Sequence, residues 1–304
     1  MLARTPATLS ENLRGSAYMV AGMFGFAVND VISKGFGGAL EVGQFMFLRG
    51  VIATTFVFLL ARYMGQMRPL RLLLEPKILT RAAGEAVATV LFITALFHIP
   101  IANVSAVMQA LPLALTLCAA FFFGEKVGWR RLSAILIGMI GVLIIIRPGM
   151  AGFSVYSVYV VGAVAACVVR DLVTRRLGAE IPALFITFAT ALAVTLTGIA
   201  MLPFAEWRPV TAEHVAWLAA GSLFLLTGYY FTVMTMRIGD IGFIAPFRYS
   251  VLLFSILGGM LVYGEFPDRV TLLGAAIVVA TGVYTLYRER IVARRPIAQV
   301  PTRP

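Results

Sequence analysis

Several charged and amide side chains stand inside long apolar stretches of this sequence, where they could bind a small ion. Arg248 is the fourth residue of APFRYSVLLFSILGGMLVYGE, and Arg49 lies in QFMFLRGVIA. Asn29 and Asp30 are neighbours in a third apolar stretch. A guanidinium can donate two parallel hydrogen bonds to a carboxylate, while a carboxylate can bind an amine or exchange a proton. These residue types indicate recognition of a charged small molecule, provided that the fold brings them together.

The motifs of nucleotide-driven and hydrolytic enzymes are absent from the sequence. It contains no G-x-x-x-x-G-K-[ST], no H-E-x-x-H and no G-x-S-x-G pattern. Both cysteines, Cys118 and Cys167, fall inside apolar stretches, and the chain has only two histidines. We therefore expect a protein that is not an enzyme, with no catalytic residues, no metal site and no cofactor.

The apolar stretches dominate the composition. Of the 304 residues, 60% are hydrophobic and 13% are charged, and the mean hydropathy is +0.92. Soluble domains carry about 25% charged residues. The apolar residues form blocks of about 20 residues, the length at which a helix crosses about 30 Å of hydrocarbon. We predict an all-α membrane protein with ten transmembrane helices, at roughly 16–36, 43–63, 79–98, 101–123, 130–147, 154–175, 182–203, 213–236, 241–263 and 270–288.

The basic residues predict how these spans are oriented. With both termini on the cytoplasmic side, 19 of the 25 lysines and arginines fall in cytoplasmic segments and 4 on the opposite side. Cytoplasmic segments of membrane proteins carry such an excess. Membrane topology thereby explains the net charge of +11. We expect membrane lipid as a partner and no nucleic acid.

An internal repeat divides the chain into two halves. Gly124-Glu125 recurs as Gly264-Glu265 at an offset of 140, and DVISK at 30–34 recurs as DLVTR at 171–175. Each repeat holds five spans, an odd number, so the second copy should enter the membrane inverted. Inverted repeats are typical of secondary transporters, which bind substrate near the midplane between the repeats. The predicted organisation is a cytoplasmic N-terminal tail, two five-helix inverted-topology repeats and a basic cytoplasmic tail, at 1–15, 16–147, 154–288 and 289–304.

The polar residues at membrane depth are the candidate site residues. Charged groups there cost about 2.5–3.5 kcal/mol on insertion scales, and they usually face a cavity or a partner. Asp30 is our candidate for proton coupling. We predict five substrate-binding residues, namely Arg248, Gln109, Asn29, Tyr249 and Tyr230. We predict a structural or coupling role for four more, namely Arg49, Asp171, Glu125 and Glu265.

A structural interpretation stays open beside each of these roles. Arg248 could form an ion pair or extend to the cytoplasmic interface. Asp30 could pair with Lys34, one helical turn further on. Gln109 could hydrogen-bond a neighbouring helix. Tyr229 and its neighbour Tyr230 could line a cavity or simply pack.

Three segments resemble the EamA-type family of the drug/metabolite transporter superfamily. They are NLRGSAYMVAGMFGFAVNDVISK, ALFHIPIANVSAVMQALPLALTLCAAFFFGEKVGWRRLSAILIGMIGVLIIIRPG and MRIGDIGFIAPFRYSVLLFSILGGMLVYGEFPD. The resemblance implies a bacterial inner-membrane carrier without a covalent cofactor, whose relatives move amino acids, nucleotide-related metabolites, vitamins or drugs, often outward. It also implies a cavity formed by spans one, three, four, six, eight and nine. That set favours the predicted substrate-binding residues and argues against Arg49 in span two.

The predicted function is therefore alternating-access transport in the bacterial inner membrane. The expected cargo is a small polar metabolite with an anionic or zwitterionic group, such as an amino acid, moved by an exporter or exchanger. One alternative is a passive channel or facilitator. The other is an intramembrane lipid-group transferase, which the predicted placement of Asp30 and Asp171 in opposite leaflets disfavours. A small-molecule substrate is the main expected partner, and assembly into a homodimer is left open.

Overall fold

The computed structural model describes residues 8–124, 128–150, 152–178, 180–238 and 241–293. Its α-helices, in chain order, are α1 (Leu9–Lys34), α2 (Val42–Tyr63), α3 (Pro76–His98), α4 (Ile101–Met108), α5 (Leu111–Phe123), α6 (Trp129–Ile146), α7 (Val155–Thr174), α8 (Ala183–Met201), α9 (Ala212–Ile238), α10 (Ile241–Ile244), α11 (Ser250–Tyr263) and α12 (Arg269–Ala293). Short 3-10 helices cover Leu70–Leu74, Leu202–Phe204 and Ala245–Tyr249. The described ranges contain no β-strand.

Ten helical spans in the described part of the chain are long and apolar enough to cross a membrane. Two of them are composite, because α4 and α5 together form span four, and Ala245–Tyr263 forms span nine. The predicted all-α architecture with ten spans is confirmed.

The first helix begins earlier than the sequence pattern indicated. The Thr8 hydroxyl accepts a hydrogen bond from the Glu11 backbone N–H at 3.2 Å, and the Glu11 carboxylate accepts one from the Thr8 N–H at 2.7 Å. This reciprocal capping box satisfies amide donors that have no partner inside the helix. Because of it, α1 begins at Leu9 instead of residue 16, so 9–15 are helical.

The two halves of the chain pack against each other helix by helix. The most extensive contacts pair α1 with α9, α2 with α8, α3 with α7 and α6 with α12, while α4 meets α11. If each of spans one to five is exchanged with the corresponding span of the second half, one with six and so on to five with ten, the same set of pairs results. The pairing is the one that a two-fold related repeat would produce, and the inverted orientation of the second repeat stays a prediction.

Both composite spans are interrupted at equivalent positions. Span four breaks at Gln109 and Ala110, and span nine is wound as a 3-10 helix up to Tyr249, at the repeat offset of 140. Both spans then end on a glycine, Gly124 or Gly264, with φ 65° and ψ 22°. Discontinuous helices at matching places in two repeats commonly mark the binding region of a transporter.

Glycines allow α1 and α9 to approach closely. A Cβ atom added at Gly25 would lie 2.8 Å from the Phe224 carbonyl oxygen and 3.0 Å from the Gly228 nitrogen. Small residues at such positions let two helix backbones meet inside a membrane.

We expect Gly25→Ile to lower the free energy of unfolding by about 1–3 kcal/mol, the usual cost of overpacking. The reason is that its side chain would collide with the α9 backbone. The thermal midpoint of the purified protein would measure the effect. Gly128→Ala is the matched control, since the added Cβ atom meets open space. Equal midpoints for Gly25→Ile and the parent protein would contradict the close approach.

Candidate functional site

An ion pair joins four chain segments at the membrane face where α1 ends, here called the distal face. Lys34 Nζ lies 2.9 Å from Glu265 Oε1 and donates hydrogen bonds to the Leu96 and Ile99 carbonyls at 3.2 and 2.7 Å. Glu265 Oε2 accepts the Ile101 backbone N–H at 2.9 Å, at the start of α4. All three ammonium donors and both carboxylate oxygens are thus engaged. Lys34 therefore pairs with Glu265, and the open alternative that it pairs with Asp30 is wrong.

Two further ion pairs lie at the distal face. Arg208 Nη2 lies 2.5 Å from Glu41 Oε1, which ties the segment before α9 to the start of α2. Arg147, directly after α6, pairs with Asp268, directly before α12. Partial burial opposes ionisation of Asp268, but the Thr271 N–H and the Arg147 guanidinium outweigh it and lower the pKa of that carboxyl. Helix ends from both halves are therefore held together at this face.

Asn29, Asp30 and Arg49 form a polar group one turn inside Lys34. Asn29 is 3% exposed and donates from Nδ2 to Asp30 Oδ1 at 2.9 Å, while its own Oδ1 is buried with no partner among the described residues. Arg49 Nη1 contacts Ser33 Oγ at 3.5 Å, and the guanidinium lies 5.8 Å from the centre of the Phe45 ring. Asp30 and Arg49 interact electrostatically. Within the described ranges, neither has an oppositely charged atom within 4 Å.

A second charged group joins α3 to α7. Arg170 Nη1 lies 2.7 Å from Glu85 Oε2, and Arg170 Nε donates to Asp171 Oδ1 at 2.8 Å. Arg81 donates to the Thr174 hydroxyl at 2.9 Å. Asp171 thus has a cationic partner in its own neighbour, whereas Asp30, its counterpart in the first repeat, has a neutral amide.

Tyr229 lies within electrostatic range of both polar groups, although the sequence favoured its neighbour Tyr230 as a substrate-binding residue. Charges on Arg49, Glu85 and Arg170, from three helices, act on the Tyr229 hydroxyl. Its ring meets the edge of Phe26 on α1 at 5.2 Å. Even so, the residue is 52% exposed. The Tyr229 ring therefore packs against α1 and keeps about half of its surface accessible.

The neighbouring Tyr230 points elsewhere. Gly221 and Gly228 define the side of α9 that faces α1, and Tyr230 lies on the opposite side, with its ring 5.6 Å from Phe231. The two glycines fix the rotation of α9, and this rotation decides which of the two neighbouring tyrosines lies near α1. The predicted substrate-binding role of Tyr230 has no contact with the polar groups to support it.

The remaining predicted residues lie at the breaks in spans four and nine. Arg248 is exposed and has no ion pair within the described ranges, and its charge acts on Cys167 of α7. The buried Tyr249 turns away, since its hydroxyl fills the space that a Cβ atom at Gly282 of α12 would occupy. Gln109 is buried directly after α4. Glu125 lies outside the described residues.

The geometry suits the binding of a small charged molecule. Charged groups of α2, α3 and α7 lie within electrostatic range of Tyr229, and Asp30 of α1 lies within range of Arg49. The described residues contain no group of three or more histidine, cysteine, aspartate or glutamate side chains that could hold a metal ion.

Comparison with known proteins identifies similar chains. The EamA-like transporter family matches residues 13–147 and again 155–288. An S-adenosylmethionine uptake transporter of Rickettsia conorii is 25% identical over 93% of this chain and 95% of its own length. The pseudopaline exporter of Pseudomonas aeruginosa is 27% identical over 87% and 93%. A riboflavin transporter of Vibrio cholerae is 27% identical over 66% and 67%.

A solved crystal structure shares the fold. It superimposes with a TM-score of 0.60 and 21% identity, over 95% of this chain and 99% of that chain.

Proposed function

Because this chain belongs to the EamA-like transporter family, we propose that it is a secondary transporter that moves a small polar metabolite by alternating access. The family and its named relatives are transporters, so the prediction that the protein is not an enzyme is confirmed. The ten apolar spans indicate a multi-pass membrane protein. The finer points of cargo, direction, coupling and orientation are proposals.

One observation carries the alternating-access proposal. The Lys34–Glu265 ion pair holds four segments together at the distal face. Asp30 and Arg49, which form no ion pair within 4 Å among the described residues, lie one turn inside it. Alternating access requires, in one of its two states, contacts that join the helix ends on one side of the site, and this ion pair supplies such contacts. With the termini cytoplasmic, as the basic residues favour, the distal face would be periplasmic.

The cargo that we propose carries an anionic or zwitterionic group. The relatives differ in their named cargo, and one is named for uptake while another is named for export. The names therefore do not select a substrate or a direction. The charges of the protein favour a cargo with an anionic group, since Arg248 is cationic, exposed and unpaired within the described ranges. We assign it the anionic group of the cargo, with Gln109 and Asn29 as hydrogen-bonding residues.

Asp30 is the proposed coupling residue. Its carboxylate is half-buried and has no cation within ion-pair distance among the described residues. Uptake into proteoliposomes with and without a pH gradient, and with counter-substrate inside, would test coupling. An uptake rate that changes with neither the pH gradient nor the internal counter-substrate would favour a passive facilitator instead. A homodimer and specific lipid contacts stay predictions.

We expect Arg248→Gln to raise the KM for an anionic cargo about tenfold or more, because a charge-assisted hydrogen bond contributes about 1.5–3 kcal/mol. A thermal-stabilisation screen of metabolites would first identify the ligand, and proteoliposome uptake would then give KM. Arg62→Gln, at the exposed end of α2, is the control and should keep the parent KM. An unchanged KM in Arg248→Gln would remove this residue from the site.

A further inference from the structure

Asp30 and Arg49 lack the close ion pairs that two other charged residues of the spans form within the described ranges. Lys34 has Glu265 and two carbonyls, and Arg170 has Glu85 and Asp171. A charged group at membrane depth without a partner is costly and usually functional. Asp30 nevertheless uses only Oδ1, and that atom accepts from a neutral amide. Arg49 makes one long hydrogen bond, to a hydroxyl, among the described residues.

The two groups lie close together without touching. Ser33, which Arg49 contacts, is one turn after Asp30 on α1. Residues at that spacing have Cβ atoms about 5–6 Å apart on one helix face. The Arg49 guanidinium therefore reaches α1 about one turn from the Asp30 carboxylate, and the two charges interact.

Neighbouring contacts keep each group in place. Asp30 is held by Asn29, which is buried beside Gly221 of α9. Arg49 lies against the Phe45 ring on its own helix. The helix that carries it is fixed by Gly50, where an added Cβ atom would lie 2.4 Å from Thr195 Oγ1 of α8. An acidic and a basic group are thus presented side by side, each with unused hydrogen-bonding capacity.

We propose that Asp30 and Arg49 together bind the ammonium and the carboxylate of one α-amino-acid zwitterion. The inference rests on the proposed transport function and narrows its cargo. An ammonium supplies three donors, and a guanidinium donates to a carboxylate through two parallel hydrogen bonds. A lone cation would meet the charge of Arg49 and a lone anion that of Asp30, so the pair selects against both. In this narrower assignment Arg49, not Arg248, takes the α-carboxylate, and Arg248 takes a second anionic group where the cargo has one.

The side chain of such a ligand has a defined direction. The Lys34–Glu265 ion pair lies on the distal side of Asp30. One turn in the other direction, Phe26 and Tyr229 form an edge-to-face aromatic pair, and Tyr229 stays half exposed. A cargo whose charged end lies between Asp30 and Arg49 would therefore pack its remainder on these rings. Aromatic and other apolar side chains suit that surface.

The test uses the purified full chain and three matched probes. L-phenylalanine carries both charges, its methyl ester lacks the carboxylate charge, and its N-acetyl derivative lacks the ammonium. We expect titration calorimetry to show binding of L-phenylalanine, with both derivatives at least about tenfold weaker. The other standard L-amino acids and riboflavin complete the panel.

Two variants assign the two contacts. Asp30→Asn should remove the preference over the N-acetyl derivative, and Arg49→Gln the preference over the ester. Arg49→Lys, which keeps the charge and loses the fork, should bind with intermediate affinity if Arg49→Gln does not fold. Arg62→Gln, on the same helix but at its exposed end, should behave as the parent.

If Asp30→Asn and Arg49→Gln still prefer L-phenylalanine over both derivatives as strongly as the parent protein does, the assignment of the two contacts is overturned. Failure of every amino acid to bind would overturn the cargo class, and riboflavin counterflow in the same protein would then leave the transport function standing. Absence of counterflow with every bound compound would instead contradict the transport function.

Discussion

Glu265→Gln is expected to lower the free energy of unfolding by about 3 kcal/mol and to loosen the distal face. Removing one partner of a buried ion pair costs about 3–5 kcal/mol, because the other charge stays buried without compensation. The side chains of Lys34 and Glu265 are 10% and 22% exposed, and only one charge would lose its partner, so we expect the lower end of that range. The substitution would leave the Lys34 ammonium without a counter-ion beside the ends of α1 and α3.

Two measurements test this expectation. The thermal midpoint of the purified protein reports stability. Opening is reported by the labelling rate of Ile99→Cys, a buried position beside the pair, with Cys118 and Cys167 replaced by alanine. Labelling should be faster when Glu265→Gln is added.

Glu41→Gln is the control on the same face. Its pair with Arg208 is 35% and 39% exposed, and exposed pairs contribute about 0–1 kcal/mol. If Glu265→Gln is as stable and as slowly labelled as Glu41→Gln, the Lys34 pair does not hold the distal face closed.

Hydropathy and the repeated motifs predicted much of the fold. The number of spans and the helical class follow from apolar blocks that can be read directly from the chain. The start of α1 was missed because a capping box, unlike a run of apolar residues, satisfies the backbone at a polar sequence.

The site was less predictable, because it depends on which way each helix is rotated. Local spacing suggested that Lys34 pairs with Asp30, whereas its partner is Glu265 in the other half. Tyr229 and Tyr230 are indistinguishable in sequence, and glycine contacts between α1 and α9 decide which one faces inward. Family resemblance argued against Arg49 because span two lies outside the usual cavity, yet its side chain reaches Ser33 on α1. The rotation of a helix and the reach of its side chains cannot be read from the spacing of residues in the sequence.

The repeat also shows where the two halves have diverged. Asn29-Asp30 and Arg170-Asp171 occupy equivalent positions, and in both the first residue donates to Oδ1 of the second, at 2.9 and 2.8 Å. In the second repeat the donor is a cation that also binds Glu85. The same backbone position thus holds a neutralised acid in one half and an acid without a cationic partner in the described chain in the other. The difference favours a structural role for Asp171 and a ligand-binding role for Asp30.

Arg170→Gln is accordingly expected to destabilise the protein by about 3–5 kcal/mol, the largest effect we expect from a single substitution. It leaves the carboxylates of Glu85 and Asp171 side by side without their shared cation, between α3 and α7. The thermal midpoint and the yield of folded protein would measure the loss. Arg170→Lys should recover part of it, since an ammonium keeps the charge but lacks the planar fork that reaches both carboxylates.

A double-mutant cycle separates this pair from general damage to the helix. Glu85→Gln removes one of the two stranded carboxylates, so adding it to Arg170→Gln should restore about 1–3 kcal/mol relative to the sum of the single changes. Effects of Glu85→Gln and Arg170→Gln that simply add would show that the contact between α3 and α7 does not depend on this ion pair. In that case the contrast with Asp30 would lose its energetic basis, and the two acidic residues would have to be treated as functional equivalents.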